Sequence, residues 1–165
     1  MTRLADGETR RLAEFTVPSE PGNERLVLTR VADAIADHGL SERNLDRLKT
    51  AVAETAMNAI EHGNRNRSEL PVRVEVDVDG QAIVVAVTDH GGDRAGGAGA
   101  GGEPVEPDID LKLAGEQSTR GWGLFLIRHM VDAVDETTHG AWHTVRLVMR
   151  LGTAGEQGDG EGDGR

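Results

Sequence analysis

The chain has 165 residues, enough for one domain with a single core, and its lack of cysteine excludes disulfides, thiolate zinc sites and a cysteine nucleophile. Its composition is 37% hydrophobic and 28% charged, and no apolar run approaches the roughly 18 residues of a membrane span. A net charge of −11, with two Phe, two Trp and no Tyr, disfavours binding to nucleic acid and to anionic membranes.

Both ends of the chain are expected to lie outside the folded domain. Residues 1–10 form an N-terminal arm that lacks the apolar core and cleavage site of a signal peptide, so we expect a cytoplasmic protein. Residues 152–165 alternate glycine with acidic residues, which predicts a disordered tail. The domain is therefore expected to span residues 11–151.

The first part of the domain is predicted to contain one strand and two helices. Residues 11–17 (RLAEFTV) alternate weakly, which indicates an edge strand. A helix is predicted over about 21–38, before Gly39. Ser41 is the expected N-cap of a second helix that ends at Gly63. The apolar residues of this helix recur at spacings of three and four: Leu45, Leu48, Val52, Ala56 and Ala59.

A β-hairpin is predicted after the second helix. Residues 72–78 place Val at every second position, and residues 83–88 (IVVAVT) form a more buried strand. Asp79 and Gly80 provide the turn between them. Residues 90–104 then form a Gly-rich segment inside the domain, which is typical of a mobile functional loop or of a dispensable insertion.

The last three elements complete an α+β domain. A helix over 121–131, entered through two glycines, precedes strands at 133–138 and 142–151 with a turn at 139–140. Two hairpins favour a mixed, mainly antiparallel sheet, and three helices suffice to cover one face of it. The predicted fold is a two-layer α/β sandwich rather than a doubly wound parallel sheet.

Two polar side chains interrupt the small and apolar second helix. Glu54 lies nearly opposite the apolar stripe, where a solvated residue is the ordinary interpretation, but its neighbours are small or apolar. Asn58 follows four residues later, so both side chains share one helix face and could share a ligand. A carboxylate can accept a proton, and an amide oxygen can bind magnesium. His62 could reach the same face or only interact with the helix dipole.

Two later segments carry weaker signals. Asp89 ends the second strand of the hairpin before two glycines, so it could accept a hydrogen bond from an exocyclic amine, although such residues are also common in turns. Residues 120–124 (RGWGL) place flexible backbone at a helix N-terminus, which favours phosphate. Each signal is weak alone, but their order along the chain is informative.

That order is E-x-x-x-N on a helix, a strand ending in D-x-G, a Gly-rich loop, and R-G-x-G-L opening a helix. It resembles the nucleotide site of the GHKL ATPases, the superfamily of gyrase-type ATPases and histidine kinases. The phrases AVAETAMNAIEHG and GWGLFLIRHMVDAV are most similar to anti-sigma factor serine kinases of the RsbW and SpoIIAB type. The resemblance implies a histidine-kinase-like ATP-binding domain of the Bergerat fold, with an ATP lid at about 91–120.

The resemblance also implies roles for single residues. Glu54 matches the catalytic base that takes the proton from a substrate serine, and Asn58 matches the magnesium ligand. Asp89 matches the acceptor of the adenine amino group, with Gly91 beside the base. The other matched ATP-binding residues lie at the end of the lid and on the last strand: Arg120, Gly121, Gly123, Leu124 and Thr144. One departure is that the second glycine of the usual D-x-G-x-G is replaced or shifted by one position.

The function that the resemblance implies is an ATP- and magnesium-dependent protein serine kinase. It would bind a sigma factor, phosphorylate a STAS-type anti-anti-sigma protein, form a homodimer, and contact neither nucleic acid nor membrane. An ATP-binding interaction module without kinase activity is the alternative, and the altered glycine motif favours it. A third hypothesis is that the glycines only form loops and the chain binds no nucleotide.

Overall fold

The computed structural model describes residues 8–92 and 119–152, which form three α-helices and one sheet of five strands. The lid residues 93–118 and the tail residues 153–165, for which a mobile loop and disorder are predicted, lie outside the described residues. No helix in the described part of the chain is long and apolar enough to cross a membrane. The elements in chain order are β1 Arg10–Val17, α1 Glu24–Ile35, α2 Glu42–Asn58, a π-helical turn Ala59–Gly63, β2 Val72–Val78, β3 Ala82–Asp89, α3 Thr119–Met130, β4 Ala133–His139 and β5 Trp142–Arg150.

The sheet has the strand order β1-β2-β3-β5-β4, and each neighbouring pair is antiparallel. The predicted two-layer α+β fold is confirmed, with β1 at an edge of the sheet as expected. The sheet is antiparallel throughout instead of mixed, because both hairpins reverse the chain and β5 returns beside β3 in the opposite direction. Asp89 at the end of β3 is paired with His143 near the start of β5.

The core lies between the inner face of the sheet and the helices. β2 buries every second residue, as its Val alternation predicts, whereas its charged residues lie on the outer face. There Arg11 of β1 donates to Asp77 at 2.5 Å. The predicted stripe of α2 is confirmed, because Leu48, Val52 and Ala56 are fully buried and Ser41 accepts a hydrogen bond from the Asn44 amide at the helix start.

The helix boundaries differ from the predicted ones where glycine intervenes. α1 is shorter than predicted at both ends and is flanked by Gly22 and Gly39, whose φ angles of 96° and 81° do not fit a right-handed helix. α3 starts two residues earlier than predicted, at Thr119. Gly121 and Gly123 therefore lie within its first two turns, not before the helix.

The end of α2 widens into a π-helical turn. The Asn64 amide donates to the Ala59 carbonyl five residues earlier, at 2.8 Å, and Gly63 ends the helical segment as predicted. Such turns are rare and often occur at functional sites. Here the turn carries the side chain of Asn64 into the interior, where it is 1% exposed.

Candidate functional site

A cavity opens between the end of α2 and the adjoining ends of three strands. Its wall combines apolar side chains with carboxylate, amide, hydroxyl and imidazole groups, which is the composition typical of a ligand pocket. The lining residues are Thr55, Asn58, Ala59, His62 and Gly63 from α2 and the π-helical turn, Val87, Asp89 and Gly91 from β3 and the loop after it, Ile127 from α3, Glu136 from β4, and His143 and Val145 from β5.

Asp89 lines this cavity and is 4% exposed. Its Oδ1 accepts a hydrogen bond from the Gly91 amide at 2.7 Å. Two glycines leave room for the carboxylate: a Cβ atom at Gly63 would lie 2.3 Å from Cγ of Asp89, and one at Gly91 would lie 2.8 Å from its Oδ1. Gly63 is therefore required for more than ending a helix, because a side chain there would displace the carboxylate.

Asn64 holds the segment after Asp89 in place. Its Oδ1 accepts a hydrogen bond from the His90 amide at 2.7 Å. Its Nδ2 donates to the Ser19 hydroxyl at 2.9 Å and to the Leu70 carbonyl at 3.0 Å. A buried amide with these partners joins the π-helical turn, the loop before α1 and the loop after β3, and so fixes the backbone beside Asp89.

His143 is a site residue to which sequence reasoning gave no role. Its Nδ1 lies 3.2 Å from Oδ2 of Asp89, and its Nε2 lies 2.5 Å from Oε1 of Glu136. The hydrogen bond to Asp89, followed by that to Glu136, raises the pKa of the imidazole to about 9, against a smaller opposing effect of burial. The ring is therefore protonated at neutral pH and carries a positive charge between two carboxylates.

Thr55 contributes a polar atom whose partner is missing. The residue is 3% exposed and lines the cavity, and its Oγ1 has no hydrogen-bond partner among residues 8–92 and 119–152. A buried hydroxyl without a partner is costly, so an arrangement in which a ligand supplies one is favoured. Together with the acceptor Asp89 and the amide of Asn58, this hydroxyl fits a polar, hydrogen-bonding ligand such as a nucleotide.

Glu54 and Asn58 are both half-buried, but they border different concavities. Asn58 and His62 line the cavity that contains Asp89. Glu54 lines a shallow groove between α1 and α2, together with Leu28, Ala53 and other residues. Two apolar neighbours of Glu54, Ala53 and Met57, line the same groove as Leu28 of α1. Glu54 itself lies about one helical turn from Asn58 on the cavity wall.

Thr144 is not brought into the cavity. It is the register partner of Thr88, and their hydroxyl groups lie 2.8 Å apart on the outer face of the sheet. Because side chains alternate along a strand, His143 and Val145 are the β5 residues that point to the cavity. The backbone of Arg120, Gly121, Gly123 and Leu124 forms the first two turns of α3.

The shifted glycine of the motif also has a structural reason. Gly92 donates its amide hydrogen to the Ala141 carbonyl at 3.0 Å, so the chain after β3 crosses the turn between β4 and β5. A Cβ atom at Gly92 would lie 2.3 Å from the Gly140 carbonyl oxygen. Glycine is therefore needed at position 92. In the same loop, the ring of His90 packs beside the ring of Trp142 at a centroid distance of 4.3 Å.

The protein is an α+β domain with a ligand pocket. Its antiparallel sheet is backed by helices on one face, and the pocket lies between a helix end and the strand ends. A sequence model of the histidine kinase-like ATPase domain matches residues 17–149. The chain therefore belongs to the histidine kinase-like ATPase domain family, as the order of its motifs predicts.

Curated relatives carry the name anti-sigma F factor. The protein from Pasteuria penetrans is 29% identical over 142 residues, covering 84% of this chain and 88% of the relative. The protein from Thermoanaerobacter sp. (strain X514) is 26% identical over 151 residues, covering 88% and 98%. The protein from Clostridium beijerinckii is 33% identical over 78 residues, covering 47% of this chain and 53% of the relative. The chain thus spans about half the length of the Clostridium relatives that it matches.

Solved structures share the fold at low sequence identity. The RsbU and RsbW domains of Rv1364c from Mycobacterium tuberculosis superpose with a TM-score of 0.55 at 18% identity, covering 84% of this chain and 32% of that one. A chain of the SiaB-SiaC complex from Pseudomonas aeruginosa gives 0.54 at 18% identity, covering 85% and 90%. These likenesses support the α+β fold.

Proposed function

We propose that the chain is an ATP-dependent protein serine kinase that acts as an anti-sigma factor. The observation that carries the proposal is that Asn58 and Asp89, matched to a magnesium ligand and an adenine acceptor, line one cavity in a histidine kinase-like ATPase domain. The relatives named anti-sigma F factor support the regulatory part of the proposal. The partners would be a sigma factor and a STAS-type antagonist, while a homodimer and a cytoplasmic location stay predictions from the sequence.

Different residues of the cavity wall would recognise the adenine and the phosphates of ATP. Asp89 accepts the hydrogen bond of the adenine amino group, and the Thr55 hydroxyl gains the partner that it lacks in the described part of the chain. The Asn58 amide oxygen would hold a magnesium ion, whose chemistry would be to neutralise phosphate charge. The charge of Arg120 and the backbone amide of Gly121, at the start of α3, would attract the phosphates electrostatically.

Phosphate transfer would place the acceptor serine at Glu54. The Glu54 carboxylate takes the proton of the serine hydroxyl, whose oxygen forms a bond to the γ-phosphorus as the bond to the ADP oxygen breaks. Glu54 lies four residues before Asn58 on α2, about 6 Å along the helix axis, so an acceptor on the outside of α2 would come close to phosphates held at Asn58. The groove between α1 and α2 gives a protein partner access to Glu54.

A kinase assay tests the proposal. The full chain, labelled magnesium-ATP and STAS-type proteins encoded near it are incubated together, and phosphoserine on the STAS protein is the expected product. Glu54→Gln is expected to lower transfer by about 10²- to 10⁴-fold, the usual contribution of a general base, while ATP affinity is kept. Glu61→Gln, on an exposed residue of the π-helical turn, is the matched control. Equal transfer by the Glu54 variant and the parent would refute the assigned role.

A second candidate is an ATP-binding interaction module without kinase activity. It is favoured by the position of Glu54, which lines the groove and not the cavity that contains Asn58 and Asp89. Tight magnesium-ATP binding without phosphate transfer to any such partner would support it. The third hypothesis, no nucleotide binding, fails if magnesium-ATP raises the melting temperature and Asn58→Ala abolishes the increase.

A further inference from the structure

Three ionisable side chains from three neighbouring strands form a row along the cavity wall. Asp89 ends β3, His143 lies near the start of β5, and Glu136 belongs to the edge strand β4. All three line the cavity, and the imidazole lies between the two carboxylates. Neither His143 nor Glu136 has a role in the function proposed above.

The hydrogen bonds in this row depend on one another. Each ring nitrogen of His143 faces a carboxylate oxygen, and a carboxylate ion can only accept hydrogen bonds. A neutral imidazole has one N–H group and could donate to only one of the two carboxylates, whereas an imidazolium donates to both. The geometry thus requires a protonated His143 for both contacts, in agreement with its raised pKa.

Asp89 is held from two sides as a consequence. The Gly91 amide donates to Oδ1, and the His143 ring donates to Oδ2. A carboxylate has about four lone-pair directions, so acceptor capacity is left for a ligand in the cavity. An oxygen acceptor held in this orientation favours the amino group of a ligand and repels a carbonyl oxygen at the same place.

We propose that His143, supported by Glu136, is a positioning residue for base recognition: it holds the Asp89 carboxylate in the orientation in which it accepts from a 6-aminopurine and disfavours a 6-oxopurine. The inference rests on the proposed binding of ATP and adds the residues that make the acceptor selective. Among the described residues, His62 on the π-helical turn is the other titratable group on the cavity wall. The ring of the nearby His90 packs beside Trp142.

Nucleotide pairs that differ at position 6 of the purine test this inference. Binding of magnesium-ATP and magnesium-ITP to the full chain is measured by calorimetry at pH 7. His143→Gln is expected to weaken ATP binding about tenfold, which corresponds to about 1.4 kcal/mol, and to change ITP binding little, so that the ratio of the two affinities narrows. Glu136→Gln should act in the same direction with a smaller effect. His139→Gln, on the exposed end of β4, is the matched control.

A pH profile separates positioning from mere structural support. The parent should lose ATP affinity as pH rises from 7 to 10, because His143 deprotonates near pH 9, and His143→Gln should show no such decrease. The nitrogen resonances of His143 in the free protein should titrate near the same pH, independently of any nucleotide. The pH series of the parent and the Glu136 variant remain informative if the His143 variant fails to fold.

The outcomes distinguish the two proposals. A parent chain that binds neither nucleotide overturns the proposed function and this inference together. A parent that binds ATP, with affinity and selectivity unchanged in His143→Gln, overturns this inference alone. A His143 resonance that titrates at or below its ordinary pKa of 6.5 also overturns it, because the ring would then be neutral at pH 7.

Discussion

Replacement of Asn64 by Ala should destabilise the fold more than any other single amide truncation in the described loops. The side chain is 1% exposed and makes four hydrogen bonds: to Ser19, to the carbonyls of Leu70 and Pro71, and from the His90 amide. The contact with the Pro71 carbonyl is the longest, at 3.3 Å. With about 1 kcal/mol for each good hydrogen bond, and buried partners left unpaired, the expected loss is about 3–4 kcal/mol.

Urea denaturation of the parent and of three variants measures this loss. Ser19→Ala removes the hydroxyl that accepts from Asn64 and donates to the Leu70 carbonyl, so its loss should be intermediate, at about 2 kcal/mol. Asn23→Ala removes one exposed hydrogen bond to the Pro18 carbonyl and should cost less than about 1 kcal/mol. The reasoning is refuted if Asn64→Ala is no more destabilising than Asn23→Ala.

Three further predictions concern the cavity wall. Because hydrogen bonds to Asp89 and then Glu136 raise the pKa of His143 from 6.5 to about 9, protonation of the ring contributes stability that is complete below pH 6.5 and is lost as pH rises through 9. The contribution is at most about 3 kcal/mol, because solvent at the partly exposed Glu136 screens one of the two contacts. Urea denaturation between pH 6 and 10 should show this loss of stability in the parent but not in His143→Gln. Gly63→Ala should weaken ATP binding at least about tenfold in calorimetry, because its Cβ would displace the Asp89 carboxylate; unchanged affinity would contradict this. Thr55→Val should raise the unfolding free energy by about 1 kcal/mol, because it removes an unpaired buried hydroxyl. It should also lower ATP affinity, because the ligand loses a hydrogen-bond partner. A loss of stability would show that the hydroxyl is paired in the free protein.

The fold was predictable because its signals are local. The alternation of β2, the turn at residues 79–80 and the stripe of α2 each depend on residues a few positions apart, and the structure confirms them. The helix ends were less predictable. The ends of α1 depend on the backbone angles of Gly22 and Gly39. The helix α3 starts at Thr119, before Gly121 and Gly123, although these glycines suggested a later start.

Three residues named by the motifs, Asn58, Asp89 and Gly91, line one cavity, but the motifs did not tell which face of a strand a residue occupies. Motif order placed Thr144 in the pocket, whereas the structure places it on the outer face beside Thr88. A step of one residue along a strand exchanges the two faces of the sheet. The alternation of β5 contained the signal, because Val145, Leu147 and Met149 are apolar and the same parity puts His143 inside.

Gly63 shows a different limit of sequence reasoning. A glycine at the end of a helix predicts a left-handed residue, but Gly63 is absent from the positive-φ glycines of the described chain. Its lack of a side chain matters because Asp89, 26 positions later, occupies the space that a Cβ would take. No local pattern reports a close approach between a helix end and a distant strand end, so only the fold reveals this role.

The two leading functions differ at one residue and agree at the others. Asn58, Asp89 and Thr55 line the cavity and would serve a nucleotide in a kinase and in a binding module alike. Glu54 borders the groove between α1 and α2, outside that cavity. We therefore expect it to add nothing to nucleotide binding and to be needed only when an acceptor hydroxyl arrives from the groove. Nucleotide affinity therefore cannot distinguish the two functions. Phosphate transfer by the parent and by Glu54→Gln distinguishes them, because the carboxylate is essential to one function and dispensable to the other.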